Sequence, residues 1–184
     1  MHSEPDFSRF PRVQIWRRAA AFIIDLLLVW MVSAFLVSAP QRTLTFCVVF
    51  FILWLLLRVI FVSVNQGQSP GRWAFDMKTI DLRFGRSPGL LELFKRESPV
   101  AFGALLFVLG LGFFVGPAPE RNSIGVVLLF PLVLDCGFAL VDNALRQAFH
   151  DRLSRTAIVS TRRGFSLDLK LKRLFAQVSR RVRR

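Results

Sequence analysis

Apolar side chains gather in four long blocks along the 184-residue chain, with polar stretches between them. The blocks run over residues 18–38, 44–64, 100–117 and 124–141. Each is close to the ~20 residues that a helix needs to cross about 30 Å of hydrocarbon. The pattern therefore predicts four transmembrane helices, of which the third and fourth are short.

Basic residues are distributed unevenly between the two sides of these helices. Lys and Arg are retained in the cytoplasm, whereas acidic residues contribute little to orientation. The amino-terminal arm, the loop Asn65 to Pro99 and the tail from Asp142 carry twenty-two basic residues, against only Arg42 and Arg121 on the opposite side. We predict an all-α integral membrane protein with four transmembrane helices and both termini in the cytoplasm.

Reporter fusions test this orientation. A reporter fused after Arg184, or within the loop Asn65 to Pro99, should report the cytoplasm, because those segments hold nearly all the basic charge. Reporters at Arg42 or Asn122 should report the opposite side. If the carboxy terminus lay on the external side, the predicted four-helix arrangement would be wrong.

The chain divides into a cytoplasmic arm (residues 1–17), a membrane domain (18–159) and a basic tail (160–184). In the tail, apolar residues recur at helical spacing among basic ones, which is typical of an amphipathic helix on a membrane surface. Anionic lipid head groups are the expected partner, since each well-placed basic residue contributes about 1 kcal/mol near such a surface. The residues expected to face the lipid are Lys170, Lys172, Arg173, Arg180 and Arg181.

Short alternating patterns predict a little cytoplasmic β-structure. Over residues 74–82 the side-chain pattern has a period of two, which predicts a strand, and residues 156–160 form a second candidate strand. Arg163-Gly164 could turn the second strand back as a hairpin. Glycines in the third helix, Gly112 and Gly116, predict a face for close helix packing.

Composition agrees with a membrane protein and argues against several other classes. Hydrophobic residues make up 53% of the chain, yet its net charge is +13, a combination that fits a membrane protein with basic ends. Two Cys and two His exclude a disulfide scaffold or a zinc or haem site of ordinary ligand count, so no cofactor is expected. No Ser or Cys nucleophile accompanies His150-Asp151, so no enzyme is expected. Phe175 is the only aromatic residue after Phe165, so nucleic acid is not an expected partner.

Three ionisable residues, Asp25, Arg58 and Asp135, lie inside the apolar blocks. At 1.5 Å per helical residue, each lies about 10 Å from the cytoplasmic boundary. A charge inside the membrane costs at least ~2.5 kcal/mol, so each needs a partner. The simplest arrangement is a buried charge layer in which Arg58 bridges Asp25 and Asp135, with Arg18 as a competing partner for Asp25.

This predicted layer has three interpretations. A paired charge can fix helix packing without any role in transport, and burying it need not add stability. Alternatively, two carboxylates with one guanidinium leave a formal charge of −1, which could bind and release a proton or cation. Arg58 could also extend alone toward the lipid head groups.

Several motifs follow one another along the chain: Arg18 with Asp25, then Gly67 to Arg72, then Arg96, and finally Arg146 to Leu153 with Thr156. In this order they resemble the motifs of the RDD family of bacterial membrane proteins. The family's Arg and two Asp correspond to Arg18, Asp25 and Asp151. One departure is Arg155, where the family usually has Gly, which argues against a tight turn there. The matching residues are Arg18, Asp25, Gly67, Ser69, Gly71, Arg72, Arg96, Asp151 and Thr156.

The resemblance implies a fold more firmly than an activity. It implies a multi-pass protein of the bacterial inner membrane or of an internal membrane. Transport, including sodium/proton exchange, has been suggested for some relatives, and others look like partners of larger membrane complexes. The leading interpretation is a non-catalytic accessory or scaffolding subunit with a protein partner or as a homo-oligomer. The alternative is a small ion- or proton-coupled transporter that uses the buried Asp and Arg residues.

Overall fold

The computed structural model describes residues 13–37, 43–115, 123–141 and 146–161, together with Leu167 and Lys170. Within these residues, four helices are long and apolar enough to cross a membrane, which confirms the predicted helical membrane fold. The orientation of the termini stays a prediction. The four spans are α1 (Ile15–Leu36), the interrupted helix Thr43–Val64, α5 (Leu90–Val115) and α6 (Ser123–Val141).

The third span begins well before its predicted start at residue 100. Helix α5 starts at Leu90 and continues through Pro99, so the polar residues ahead of the apolar block belong to the same helix. A helix of this length measures about 39 Å at 1.5 Å per residue and therefore exceeds the ~30 Å of hydrocarbon. This correction places Arg96 and Glu97 on a spanning helix.

The second span is interrupted by a π-helical turn. It consists of α2 (Thr43–Leu55), the π turn Leu56–Ile60 and α3 (Phe61–Val64). A π turn inserts an extra residue into the helical repeat and is frequent at functional sites. Here it carries Arg58, which is only 3% exposed.

Among the described residues, four short elements lie outside the spans: α4 (Pro70–Ala74), β1 (Met77–Asp81), α7 (Phe149–Leu153) and β2 (Thr156–Ser160). The two strands confirm the predicted β-structure, and β1 is shorter than predicted. They pair antiparallel with each other, so that Met77 lies opposite Ser160 and Asp81 opposite Thr156. The hairpin expected after Arg163 falls outside the described residues.

Aromatic side chains fill the space between the first three spans. Trp54 of α2 is fully buried, and its ring centroid lies 5.8 Å from that of Phe50 and 5.7 Å from that of Phe22 on α1. Val100 and Ala104 of α5 complete this core. The core places the three spans side by side just beyond Arg58.

Glycines bring α5 and α6 close together, although not at the predicted position. A Cβ atom at Gly110 would lie 2.7 Å from the carbonyl oxygen of Gly125, and one at Gly125 would lie 2.9 Å from that of Gly110. A Cβ atom at Gly112 would meet nothing within 4 Å, so Gly112 makes no close contact within the described chain, and a packing face there for a partner helix stays a prediction. Gly116 lies outside the described residues.

Candidate functional site

Nine charged or titratable side chains meet where the spans approach α4, β1 and α7. We call this set the charge cluster. With His150 neutral, its four arginines are balanced by four carboxylates. Its members are Arg18, Asp25, Arg58, Arg72, Arg96, Glu97, Asp135, His150 and Asp151.

Arg58 joins the first three spans. Its Nη1 donates to Oδ2 of Asp25 at 2.5 Å, and its Nε donates to Oε2 of Glu97 at 3.0 Å. The guanidinium carbon also lies 5.4 Å from the ring centroid of Trp54 and 5.7 Å from that of Phe22, within the range of cation–π attraction. The structure thus places Arg58 beside Asp25, one of the two carboxylates expected to pair with it.

Asp135 does not belong to this bridge, contrary to the prediction. Its Oδ2 lies 2.5 Å from Nδ1 of His150, and its Oδ1 accepts the backbone N–H of the same residue at 3.0 Å. The fourth span is therefore joined to α7. Glu97 of α5 takes the place that the sequence assigned to Asp135, because depth along a helix does not specify rotation about its axis.

Asp25 receives three hydrogen bonds from separate parts of the chain. Besides Arg58, the Ser69 hydroxyl donates to Oδ2 at 2.6 Å and the backbone N–H of Gly71 donates to Oδ1 at 2.8 Å. Arg18, the competing partner in the sequence, contacts Asp151 instead. Asp25 therefore holds the loop before β1 against the first span.

Helix α4 approaches α1 closely at Gly71. Ser69 begins the helix as its N-cap, since its Oγ accepts the N–H of Arg72 at 3.3 Å, and Pro70 occupies the first helical position. A Cβ atom at Gly71 would overlap the carbonyl oxygen of Ala21. Glycine is thus required by the approach of two backbones.

The side chain of Thr79 on β1 accepts hydrogen bonds from two arginines, and Glu97 accepts from one of them. The Thr79 hydroxyl oxygen accepts from Nη1 of Arg72 and from Nη1 of Arg96, both at 2.8 Å. Oε1 of Glu97 accepts from Nη2 of Arg72 at 3.0 Å. Burial, together with the nearby guanidinium groups of Arg58 and Arg96, lowers the pKa of Arg72 to about 9.

Asp151 is the carboxylate of α7 in the cluster. It forms ion pairs with Arg96, at 2.7 Å, and with Arg18, and it accepts the N–H of Ala148 at 3.1 Å. Burial alone would raise the pKa of Asp151, but Arg96 and Arg18 outweigh burial and hold it well below the usual range. Nε2 of His150 lies 3.5 Å from Oδ1 of Asp151.

The other motif residues shape the turns around the small sheet. Gly67 has a φ of +83°, and a Cβ atom there would overlap the carbonyl oxygen of Thr79. The hydroxyl groups of Thr156 and Ser154 are 2.9 Å apart. Arg155 adopts a φ of +51°, so the tight turn forms with Arg in place of the family's usual Gly.

Two residues of the site were not anticipated from the sequence. Glu97 was placed outside the membrane because the third span was expected to start after Pro99, although its position just before an apolar block was an available signal. The sequence indicated only that Thr79 belongs to a predicted strand, and nothing marked it as a site residue. Of the expected lipid-facing residues, Lys170 is exposed and the other four lie outside the described residues.

No group of three or more His, Cys, Asp or Glu side chains in the described part of the chain could hold a metal ion. Cys47 and Cys136 are free thiols. The contacts within the charge cluster are arginine–carboxylate pairs together with the contact of His150 with Asp135.

Comparison with known proteins identifies one family. The model of the RDD family matches residues 12–155, a range that includes all four spans and every member of the charge cluster. No curated protein and no solved structure matches the chain significantly. Since the family match covers most of the sequence, the chain belongs to the RDD family and is a multi-pass membrane protein.

Proposed function

We propose that this RDD family protein acts without catalysis, as an accessory or scaffolding subunit of a membrane complex. The observation that supports this role is the pairing of the buried carboxylates. Asp25, Glu97 and Asp151 each contact at least one guanidinium group. Carboxylates held in this way fix the packing of helices and are poor ligands for a passing cation.

The membrane for this role is the bacterial inner membrane or an internal membrane. The spans present many exposed apolar side chains, among them Phe35, Leu44 and Leu140. Such surfaces can contact acyl chains or the helices of another subunit, and association of membrane helices depends on close packing. The proposed partner is therefore another membrane protein or a second copy of the chain.

Purification from the native membrane tests this proposal. The tagged protein, extracted in mild detergent, should elute with a fixed stoichiometry of a membrane partner or as a homo-oligomer. As a control, a detergent extract of untagged membranes with isotope-labelled proteins is mixed with the tagged extract before purification. Label in the purified complex would then reveal association that formed only in detergent. A monomer without a stoichiometric partner would contradict the accessory role.

The second candidate function is ion- or proton-coupled transport. The observation that favours it is the position of His150 between two carboxylates, with Nδ1 at 2.5 Å from Asp135 and Nε2 at 3.5 Å from Asp151. Histidine is the side chain whose unperturbed pKa lies nearest neutrality, so this arrangement could relay protons.

Proteoliposomes with an internal pH-sensitive dye separate the two functions. A transporter should give proton flux driven by a sodium or potassium gradient, and His150→Gln should abolish it. Leu153→Ala, on the exposed side of the same helix, should leave the flux unchanged. No flux from the wild-type protein would exclude this second candidate under the gradients used.

A further inference from the structure

A cavity of about 260 Å³ lies against the charge cluster, between α1 and α6. Helix α6 packs mainly along α5, whereas α1 packs against α2 and α4, which leaves space between the first and fourth spans. Apolar side chains of both helices form the walls of this cavity, among them Phe22, Leu26, Leu132 and Ala139.

Among the described residues, every charged side chain that lines this cavity, histidine aside, is cationic, and no Asp or Glu belongs to the lining. Three of the cluster's four carboxylates contact the guanidinium groups directly, and the fourth, Asp135, contacts His150. The cationic lining consists of Arg18, Arg58, Arg72 and Arg96, beside His150.

One of these arginines has an unused donor. Arg96 is fully buried, and its Nε makes no hydrogen bond to any described residue. The nearby oxygen of Glu97 lies at 3.6 Å, beyond hydrogen-bond range. Because a buried donor without an acceptor destabilises a structure, an oxygen atom that reached this donor would be favoured.

We propose that this cavity binds one anionic phospholipid of the surrounding bilayer. The phosphate lies near the guanidinium groups, and one acyl chain follows the apolar walls between α1 and α6. Basic pockets between spans on the cytoplasmic side suit anionic head groups, and the predicted orientation places these helix ends there. A free phosphate ion would match the arginines but would leave the apolar walls without a partner. The proposal is independent of the accessory role above.

Lipid retention by the full-length protein tests this assignment. The protein in mild detergent is equilibrated with equal amounts of phosphatidylglycerol and phosphatidylcholine of identical chains, and bound lipid is read by native mass spectrometry. One phosphatidylglycerol should be retained at least about tenfold more tightly than phosphatidylcholine, since the cationic groups around the cavity favour an anionic head group over a zwitterionic one. Equal retention of the two lipids would overturn the proposal.

Two neighbouring substitutions on α6 locate the bound lipid. Val133 lines the cavity and is 56% exposed, whereas Leu134 is 61% exposed and does not line it. Val133→Trp should occupy the path of the acyl chain and weaken phosphatidylglycerol retention about tenfold, while Leu134→Trp should have no effect. Both positions face outward, so neither variant disturbs the core.

Two further results would contradict the assignment. If Val133→Trp and Leu134→Trp retain phosphatidylglycerol equally, the lipid is held elsewhere, for example on the basic tail. If excess inorganic phosphate displaces the lipid, the cavity recognises the anion alone and the acyl chain has no part in binding. Retention that is sensitive to Val133→Trp and insensitive to phosphate supports the phospholipid site.

Discussion

Replacement of Arg58 by Ala is expected to lower the free energy of unfolding by about 3–5 kcal/mol, the usual effect of removing one partner of a buried ion pair. Arg58 is only 3% exposed and donates to both Asp25 and Glu97. Its loss leaves two buried carboxylates short of a counter-charge. Unfolding in mixed detergent micelles, followed by tryptophan fluorescence, measures the change.

Two further variants separate charge from shape at this position. Arg58→Ala combined with Asp25→Asn should be more stable than Arg58→Ala alone, because fewer buried charges are unpaired. Arg58→Lys should lie between the wild type and Arg58→Ala, since one ammonium group cannot reproduce the two-pronged contact with Glu97 while it reaches Asp25. An effect of Arg58→Ala below about 0.5 kcal/mol, the size typical of surface substitutions, would refute the pairing.

Replacement of Gly71 by Ala is expected to lower the free energy of unfolding by about 2–3 kcal/mol, at the upper end of the overpacking range. The added Cβ would overlap the carbonyl oxygen of Ala21 and push α4 away from α1. The same movement would weaken the bond from the Gly71 N–H to Asp25. The same micelle unfolding experiment measures the loss.

Gly112→Ala is the matched control for this prediction. It adds the same methyl group to a helix, at a place where nothing lies within 4 Å. The free energy of unfolding should not fall, and the higher helix propensity of alanine is expected to raise it by up to about 1 kcal/mol. Equal losses for the two variants would show that close approach of α4 to α1 is not what requires Gly71.

The four spans were predictable because hydropathy and length determine which segments can cross a bilayer. The continuity of α5 was not, because the sequence predicts a separate interfacial helix from Pro88 and a span from residue 100, whereas the structure has one helix that continues through Pro99. The π turn Leu56–Ile60 also carried no signal, since it contains neither Pro nor Gly. The turn carries Arg58, whose hydrogen-bond partners lie on other helices.

The charge cluster was only partly predictable, for a related reason. Positions along the helices placed Asp25 and Arg58 at one depth, and the structure brings the two side chains together. The same reasoning placed Asp135 with them, but it turns toward His150 on α7. Distance along a helix axis can be read from residue number, whereas rotation about that axis depends on packing against neighbours.

The contacts among the family motifs become visible only in the folded structure. Residues from separate segments, such as Ser69 and Gly71, converge on Asp25 of the first span. Sequence order indicated that these motifs belong together but could not show which atoms meet. The pairing of Asp151 with Arg96 likewise depends on how α7 packs against α5.

A double-mutant cycle between Arg58 and Glu97 tests most directly the claim that one buried ion-pair network joins the spans. The variants are Arg58→Met, Glu97→Gln and their combination, each compared with the wild type by unfolding in mixed micelles. The account predicts a coupling free energy of at least about 1.5 kcal/mol, within the range for residues that share one network. A coupling within about 0.3 kcal/mol of zero, as for independent sites, would contradict it.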